Sequence, residues 1–342
     1  MASNCLYLVS SSANREYVVD CVEALALPRG MVRHFRYRVK YIDEQLRDLL
    51  PPEGKELPSN LQDLPVVVVY LFQTQTAGVW KPAETMGPGG PYLPLRCGRL
   101  INAFKDGGIA HFFFDLSGYV TAKANSARET LNNDIKFKKS TSALEQSSYA
   151  HLAQDLKFDS SKDQDTPNFQ SIVDDGYLAG EWRTRSLGSA PLDVTYDIVF
   201  YRVTELLQER DGSFIEVSPV RRFVQGSVWA EYQLEPGGTY HVRLVTHLAS
   251  RFLALIPGEG RAILKLLSDP RLVTPLGPNS LRISSLYDLE YWSFVVGAAG
   301  PSRSALTIAC EYDAPPNRED FVRKELLCPE VSFPISVVPQ SS

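Results

Sequence analysis

Short runs of β-branched and aromatic residues, separated by clusters of glycine and proline, recur along most of this chain. Such runs, bounded by turn-forming residues, are typical of β-strands. The 23 prolines and 22 glycines supply the turns that many short strands require. The pattern therefore predicts a mainly β protein with a minor α+β component. Because 342 residues exceed the length that one core usually contains, we expect two domains.

The first 120 residues predict a compact, β-rich, barrel-like unit. Strand-like runs lie at residues 6–10, 32–41, 65–72 and 110–116. Residues 40–50 predict a short helix, because Ile42, Leu46 and Leu49 have helical spacing and the prolines at 51 and 52 would end it. The three phenylalanines at 112–114 favour core packing over base stacking, because three successive residues cannot share one strand face. We place the N-terminal domain at residues 1–120.

Residues 121–171 form a polar middle segment in which large apolar side chains are sparse. Capping-box patterns at residues 126–129 and 142–145 are each typical of a helix start. Only thin apolar stripes follow them, the second made of Tyr149, Leu152 and Leu156, so little buried area would offset the entropy of ordering. Two interpretations stay open: loosely docked surface helices, or a disordered, protease-sensitive linker.

Residues 172–342 predict a C-terminal β-sandwich domain. Strand-like runs lie at residues 194–203, 228–234, 238–248, 289–296 and 304–312, and only residues 258–269, closed by Pro270, look helical. The sequence LEPGGTY at residues 234–240 resembles the hairpin turn before a late strand in immunoglobulin-like and fibronectin-like modules. This resemblance implies an immunoglobulin-like β-sandwich. It carries no function, because such sandwiches have many roles.

Composition and charge exclude several classes of protein. With 40 acidic and 35 basic side chains, the net charge of −5 argues against a surface that binds nucleic acid or anionic lipid as a whole. Five cysteines without a CxxC spacing predict reduced thiols rather than a zinc knuckle or a disulfide scaffold. We see no secretory signal and no run long enough to span a bilayer. These features predict a soluble, cytoplasmic protein without a membrane partner.

No motif with a catalytic or metal-binding spacing is present. The sequence lacks GxSxG, HExxH and a P-loop. His241 and His247 share one predicted strand but lie roughly 20 Å apart on it, too far to bind one ion directly, so we interpret them as structural. Cys97, flanked by Arg96 and Arg99, has either a depressed pKa or an incidental role. We therefore predict no catalytic residue, no metal site and no cofactor.

The most unusual local feature is a basic run at residues 33–41. On a strand, His34, Arg36, Arg38 and Lys40 form one row, while the aromatic and aliphatic residues between them form the other. Residues 29–47 hold six basic and two acidic side chains, and like charges in a row repel. Three interpretations stay open: a solvated or internally paired face, a protein partner surface, or a site for RNA, DNA or a nucleotide. The candidate binding residues are Arg33, His34, Arg36, Arg38 and Lys40.

These observations lead to an expectation about function. We expect a non-enzymatic protein-interaction or scaffold subunit of an intracellular multi-protein system, of the kind found in prokaryotic defence, with a protein partner. The alternative is an accessory subunit that binds RNA, DNA or a nucleotide through residues 33–40. A second alternative is an enzyme whose site is assembled from distant loops. The oligomeric state stays open.

Overall fold

The computed structural model describes residues 4–11, 15–71, 73–76, 79–82, 92–119, 150–154, 195–248, 261–282, 288–298, 302–313, 324–327 and 330–338. The protein is mainly β, and one of its sheets curls into a half-barrel. The predicted fold class is confirmed at this level. The domain boundaries at residues 120 and 171 and the capping boxes at 126–129 and 142–145 lie outside the described residues, so those predictions stay predictions.

The described residues of the N-terminal part form ten elements around one mixed sheet. In chain order they are β1 (Asn4–Ser11), α1 (Arg15–Ala26), β2 (Val32–Arg38), α2 (Glu44–Leu49), β3 (Pro65–Leu71), β4 (Gln73–Thr76), β5 (Val79–Pro82), β6 (Tyr92–Asp106), β7 (Ile109–Tyr119) and β8 (Ala150–Gln154). Six strands form a sheet in the order β2-β7-β6-β3-β1-β8, and β4 pairs with β5. Because β1 and β3 are parallel, the chain between them crosses over, and α1 in this crossover packs against the sheet.

The strands predicted around residues 6–10, 65–72 and 110–116 are confirmed as β1, β3 and β7. The predicted strand 32–41 ends earlier, at Arg38, because Val39–Tyr41 forms a 3₁₀ turn. The predicted helix 40–50 is correspondingly shorter. Asp43 caps it by accepting a hydrogen bond from the Gln45 backbone N–H, at 3.0 Å. Lys40 therefore lies on the turn between the two elements and not on the strand.

β8 lies within the polar middle segment. It pairs antiparallel with β1 and forms the second edge of the N-terminal sheet. Ala150 is buried and Leu152 packs against the core, two residues further along the strand. Residues 150–154 are therefore a docked strand, which corrects the helical interpretation of the stripe at Leu152. The apolar spacing that looked helical is too short to exclude a period of two.

In the part of the C-terminal region that the structure describes, twelve strands form two sheets. In chain order they are β9 (Thr195–Arg210), β10 (Ser213–Glu216), β11 (Val220–Val224), β12 (Ser227–Leu234), β13 (Thr239–Leu248), β14 (Arg261–Leu267), β15 (Val273–Pro275), β16 (Ser280–Arg282), β17 (Asp288–Val296), β18 (Arg303–Asp313), β19 (Lys324–Leu327) and β20 (Val331–Val337). One sheet has the order β10-β9-β13-β17-β15 with β19 beside β9, and the other β11-β12-β20-β18-β14-β16.

Buried side chains of both C-terminal sheets belong to one hydrophobic cluster. It includes Tyr201 and Tyr240 of the first sheet and Leu264 and Phe333 of the second. The Tyr201 hydroxyl donates a hydrogen bond to the Ile308 carbonyl across the two sheets, at 3.2 Å. The same cluster continues into the N-terminal part. The hydrophobic core of the described residues is therefore continuous.

Two predictions in the C-terminal part are wrong. Residues 261–267 form β14 and not a helix: Leu264 and Leu266 are buried and Leu267 is exposed, and the strand pairs with both β16 and β18. Here pairing on both sides outweighs the helical propensity of alanine, leucine and lysine. Residues 234–240 are not a hairpin turn, since β12 and β13 lie in different sheets. The Tyr240 hydroxyl instead accepts a hydrogen bond from the Glu235 backbone N–H, at 2.7 Å.

Candidate interaction surfaces

β2 carries the candidate basic residues and forms an edge of the N-terminal sheet. Phe35 and Tyr37 are buried, whereas Arg36 and Arg38 are exposed, so the alternation predicted for this strand is confirmed over these residues. Phe35 packs edge-on against Phe114 of β7, with ring centroids 5.2 Å apart. The buried row therefore anchors the strand in the core and directs the two arginines to solvent.

Arg36 and Arg38 are the exposed arginines of this surface. Within the described part of the chain, neither guanidinium forms an ion pair. Lys40, on the 3₁₀ turn, lies 4.8 Å from the Tyr41 ring centroid in a cation–π contact. The row that reaches solvent from β2 is thus His34, Arg36 and Arg38, without Lys40.

Arg33 lies on the opposite side of β2 from this row. Its guanidinium pairs with Glu23 at 2.6 Å and with Asp20 at 3.4 Å, both on α1, and its side chain is 17% exposed. A shallow cleft of about 160 Å³ opens beside it, lined by Glu23, Leu27, Arg33, Glu330, Val331 and Ser332. Arg33 was one of the candidate binding residues. The structure gives it an internal partner, so it does not belong to the exposed basic row.

His34 and His111 come together across β2 and β7. The His34 Nε2 and His111 Nδ1 atoms are 3.0 Å apart, which is a hydrogen bond between two imidazoles. His34 stacks on Phe113, with centroids 4.1 Å apart, and His111 stacks on Phe104, with centroids 4.8 Å apart. Because Phe104 and Phe113 are buried, the histidine pair covers a small aromatic cluster. Sequence analysis missed this pair because the two residues are 77 positions apart.

The surroundings of the pair favour neutral imidazoles. Burial, together with the neighbouring His111, Arg36 and Arg33, lowers the pKa of His34 to about 4. Burial also lowers the pKa of His111, although Asp106 and Glu53 oppose this effect. Near neutral pH the histidines therefore add no charge to the surface, and its positive charge comes from Arg36 and Arg38.

A second surface lies on β10 and β11 of the C-terminal part. β10 is the outermost strand of one sheet and β11 of the other, and residues 217–219 join them. Of the nine large hydrophobic side chains exposed among the described residues, five lie here: Phe214, Ile215, Val220, Phe223 and Val224. Phe214 is 60% exposed and Phe223 is 64% exposed. Scattered apolar side chains are ordinary on a surface, so their concentration on these two strands makes this a candidate interaction surface. We call these five residues the apolar edge.

The three arginines around the apolar edge are paired within the protein. Arg210 binds Glu235 at 2.8 Å, and Arg222 binds Glu231 at 2.7 Å. Arg221 binds Asp115 of β7, whose carboxylate also accepts a hydrogen bond from the Arg99 backbone N–H. The positive charges beside the five apolar side chains are therefore balanced by acidic partners within the protein.

Hydrogen bonds hold the β11–β12 hairpin against the N-terminal sheet. The Asn102 side-chain amide donates to the Gly226 carbonyl at the tip of the hairpin, at 2.9 Å. Gly226 has a φ of 83°, and the aromatic edge of Phe104 would lie 3.6 Å from a Cβ at this position. Val228 of the same hairpin packs with Phe104 and Phe113. β11, which carries Val220, Phe223 and Val224 of the apolar edge, therefore belongs to a hairpin that contacts the N-terminal sheet.

The remaining candidates from the sequence occupy structural positions. His241 contacts Ser293 Oγ at 2.7 Å and Glu209 at 3.2 Å, which agrees with its interpretation as a structural histidine, while the side chain of His247 lies outside the described residues. Burial raises the pKa of the Cys5 thiol to about 12 and also raises that of Cys21. In the described part of the chain, no three histidine, cysteine or acidic side chains form a metal site.

No helix of the described chain is both long and apolar enough to cross a membrane. No protein-family model matches the sequence, and no curated protein matches it.

Proposed function

We propose that the protein is a non-enzymatic interaction subunit of an intracellular multi-protein system, and that it binds a partner protein through the apolar edge on β10 and β11. The observation that carries this proposal is the exposure of five large apolar side chains on two neighbouring edge strands. A system of the prokaryotic defence type is compatible with a β-rich subunit of this kind.

Edge strands supply two kinds of contact to a partner. Among the described strands, β10 pairs only with β9 and β11 only with β12, so the outer backbone groups of each have no strand beside them. An extended segment of a partner can add to such an edge through main-chain hydrogen bonds. Burying one phenylalanine side chain contributes roughly 1.5–3 kcal/mol, so Phe214 and Phe223 are the expected anchors.

The experiment compares partners that co-purify with the full chain and with two double variants. We expect Phe214→Ser with Phe223→Ser to lose a stoichiometric partner, because each anchor is worth at least about tenfold in affinity. The matched control is Leu276→Ser with Tyr291→Ser, which removes two exposed apolar side chains from other elements and keeps the partner. A partner that stays with the β10–β11 variant would contradict the proposal, provided far-UV circular dichroism shows both variants folded.

We further propose that the C-terminal sandwich is immunoglobulin-like. The hydrogen bond between Tyr240 and the Glu235 backbone supports this, since immunoglobulin-like domains carry a tyrosine at the start of a late strand that bonds to backbone a few residues upstream. The segment also passes from one sheet to the other, as the corresponding corner does in such domains. At residues 234–240 the proposal is therefore supported by the hydrogen bond and the change of sheet, and not by a hairpin turn.

A second candidate function is the binding of RNA, DNA or a nucleotide on the exposed face of β2. It is favoured by one observation, that Arg36 and Arg38 are exposed and form no ion pair with described residues. We expect Arg36→Glu with Arg38→Glu to abolish binding of a labelled single-stranded oligonucleotide, and the wild-type affinity to fall steeply with salt as counterions are released. Arg221→Glu is the control for a change of charge elsewhere. Affinity that does not respond to salt would contradict this function.

A further inference from the structure

The geometry of the His34–His111 pair carries an inference separate from the interaction surfaces. β2 and β7 are antiparallel, with Arg36 opposite His111 and His34 opposite Phe113, so the histidines are diagonal neighbours on one face. This register brings their facing nitrogens to 3.0 Å. Only one proton can lie between two nitrogens at this distance. A metal ion can take the place of that proton and use a lone pair from each ring.

The distance between the nitrogens selects the kind of ion. With metal–nitrogen bonds of about 2.05 Å, two nitrogens 3.0 Å apart subtend an angle of about 94° at the metal. This value is close to the right angle between neighbouring ligands of a tetragonal ion and smaller than the tetrahedral angle that Zn²⁺ prefers. Imidazole ligands in a tetragonal arrangement are typical of Cu²⁺ and Ni²⁺.

We propose that His34 and His111 form a two-histidine site for a tetragonal divalent cation, Ni²⁺ or Cu²⁺, with solvent completing the coordination sphere. The two stacked phenylalanines hold the imidazole planes only 16° from parallel, so little ordering is needed when the ion binds.

Neighbouring groups have opposite effects on a bound cation. Arg36 and Arg33 lie close enough to disfavour positive charge at His34, while Asp106 and Glu53 favour it at His111. His111 is the less buried ring, so we expect the ion to be bound through His111 and to be completed by His34.

Isothermal titration calorimetry of the untagged full chain with NiCl₂ near neutral pH tests the proposal. We expect one ion per chain, and an affinity at least about tenfold weaker in His34→Phe and in His111→Phe, which keep an aromatic ring in the stack but remove the ligand nitrogens. His241→Asn is the matched control, because this histidine is bound to Ser293 and Glu209 away from the pair, and it should leave the affinity unchanged.

A second measurement does not depend on variants. The electron paramagnetic resonance spectrum of the wild-type chain with one equivalent of Cu²⁺ should show coupling to two equivalent imidazole nitrogens. Absence of heat with Ni²⁺, binding that survives both phenylalanine variants, or a Cu²⁺ spectrum without nitrogen coupling would each overturn the proposal.

Discussion

At the scale of single residues, Arg96 is a buried cation that backbone carbonyl groups stabilise. Its side chain donates hydrogen bonds to the carbonyls of Ala24 at 2.7 Å, of Leu27, and of Ser117 at 3.1 Å. Ala24 and Leu27 are at the C-terminal end of α1, where helix carbonyls lack partners and the helix dipole is negative. Arg96 therefore ties α1 to β6 and β7.

We expect Arg96→Met to lower the free energy of unfolding by about 3 kcal/mol, because two or three hydrogen bonds to a charged group are lost and buried carbonyls keep no donor. Arg99→Met is the matched control. Arg99 is exposed, and its side chain reaches only the Asp63 carbonyl at 3.4 Å, so the change should be within about 0.5 kcal/mol. Urea denaturation measures both values, and equal effects would show that the hydrogen bonds of Arg96 do not stabilise the fold.

The histidine pair predicts a dependence of stability on pH. The pKa of His34 is lowered by burial from the usual 6.5 to about 4, so the unfolded chain binds a proton in this interval while the folded chain does not. The free energy of unfolding therefore falls as the pH falls from 6.5 towards 4, and this contribution is fully present only above 6.5. In thermal denaturation across this range, His34→Phe should lose less stability than wild type. Parallel curves for the two proteins would contradict the prediction.

At the scale of elements, the sequence predicts a strand correctly where its own residue pattern is typical of a strand. The prediction fails where pairing with other strands determines the structure. β3 has buried residues at every position after Pro65, and its apolar run was enough to identify it. α1 was missed because Val18, Val19 and Val22 disfavour a helix, although its buried face packs on the sheet. β6 was missed because Gly98 interrupts its pattern; a Cβ at Gly98 would lie 2.0 Å from the Asp115 carbonyl, so a close strand contact requires this glycine.

The candidate surfaces could be predicted from the sequence to different degrees, because some depend on the pattern of one strand and others on how strands pair. The alternation at residues 34–38 identified the exposed arginines, because a period of two can be read from one strand. The apolar edge was not identified, since Phe214 and Phe223 look like ordinary strand residues until the sheet order places both strands outermost. The histidine pair likewise depends on the register of β2 against β7.

The polar segment at residues 121–171 leads to a prediction about proteolysis. Its composition offers few apolar groups to bury, and it contains lysines at 136, 138, 139, 157 and 162. We expect brief treatment with dilute trypsin to cut first between residues 128 and 162, because proteases need several residues of accessible extended chain. β8, which pairs with β1 inside this segment, contains no lysine or arginine. Mass spectrometry locates the cuts, and first cuts within residues 65–116 or 194–248 would contradict the prediction.

At the scale of the whole molecule, the N-terminal and C-terminal parts share contacts that sequence alone did not indicate. Buried residues of both parts belong to one cluster, and α1 contacts β9. The Arg221–Asp115 ion pair and the Asn102–Gly226 hydrogen bond join the β11–β12 hairpin to the N-terminal sheet. The part of the apolar edge on this hairpin, Val220, Phe223 and Val224, is therefore connected through these contacts to β6 and β7.

These contacts determine how the C-terminal part should behave alone. A fragment of residues 172–342 keeps both of its sheets, the Tyr201–Ile308 hydrogen bond between them and, within the second sheet, the edge-on Tyr232–Phe333 contact. We expect it to fold with a β-type far-UV spectrum, because the apolar packing between its two sheets lies within the fragment. Its melting temperature should be lower than that of the full chain, since the fragment loses Asp115 and the apolar cluster around Phe104 and Phe113.

Asn102→Ala in the full chain separates the contribution of the hydrogen bond between the two parts from the contribution of the continuous core. It removes the hydrogen bond to the hairpin but keeps the core, so it should lower the melting temperature by only a few degrees, as expected for the loss of one hydrogen bond of about 1 kcal/mol. A fragment that is unfolded by circular dichroism, together with an Asn102→Ala chain as stable as wild type, would show that the two parts depend on one continuous core and not on a docking contact. In that case the two-domain division would be wrong.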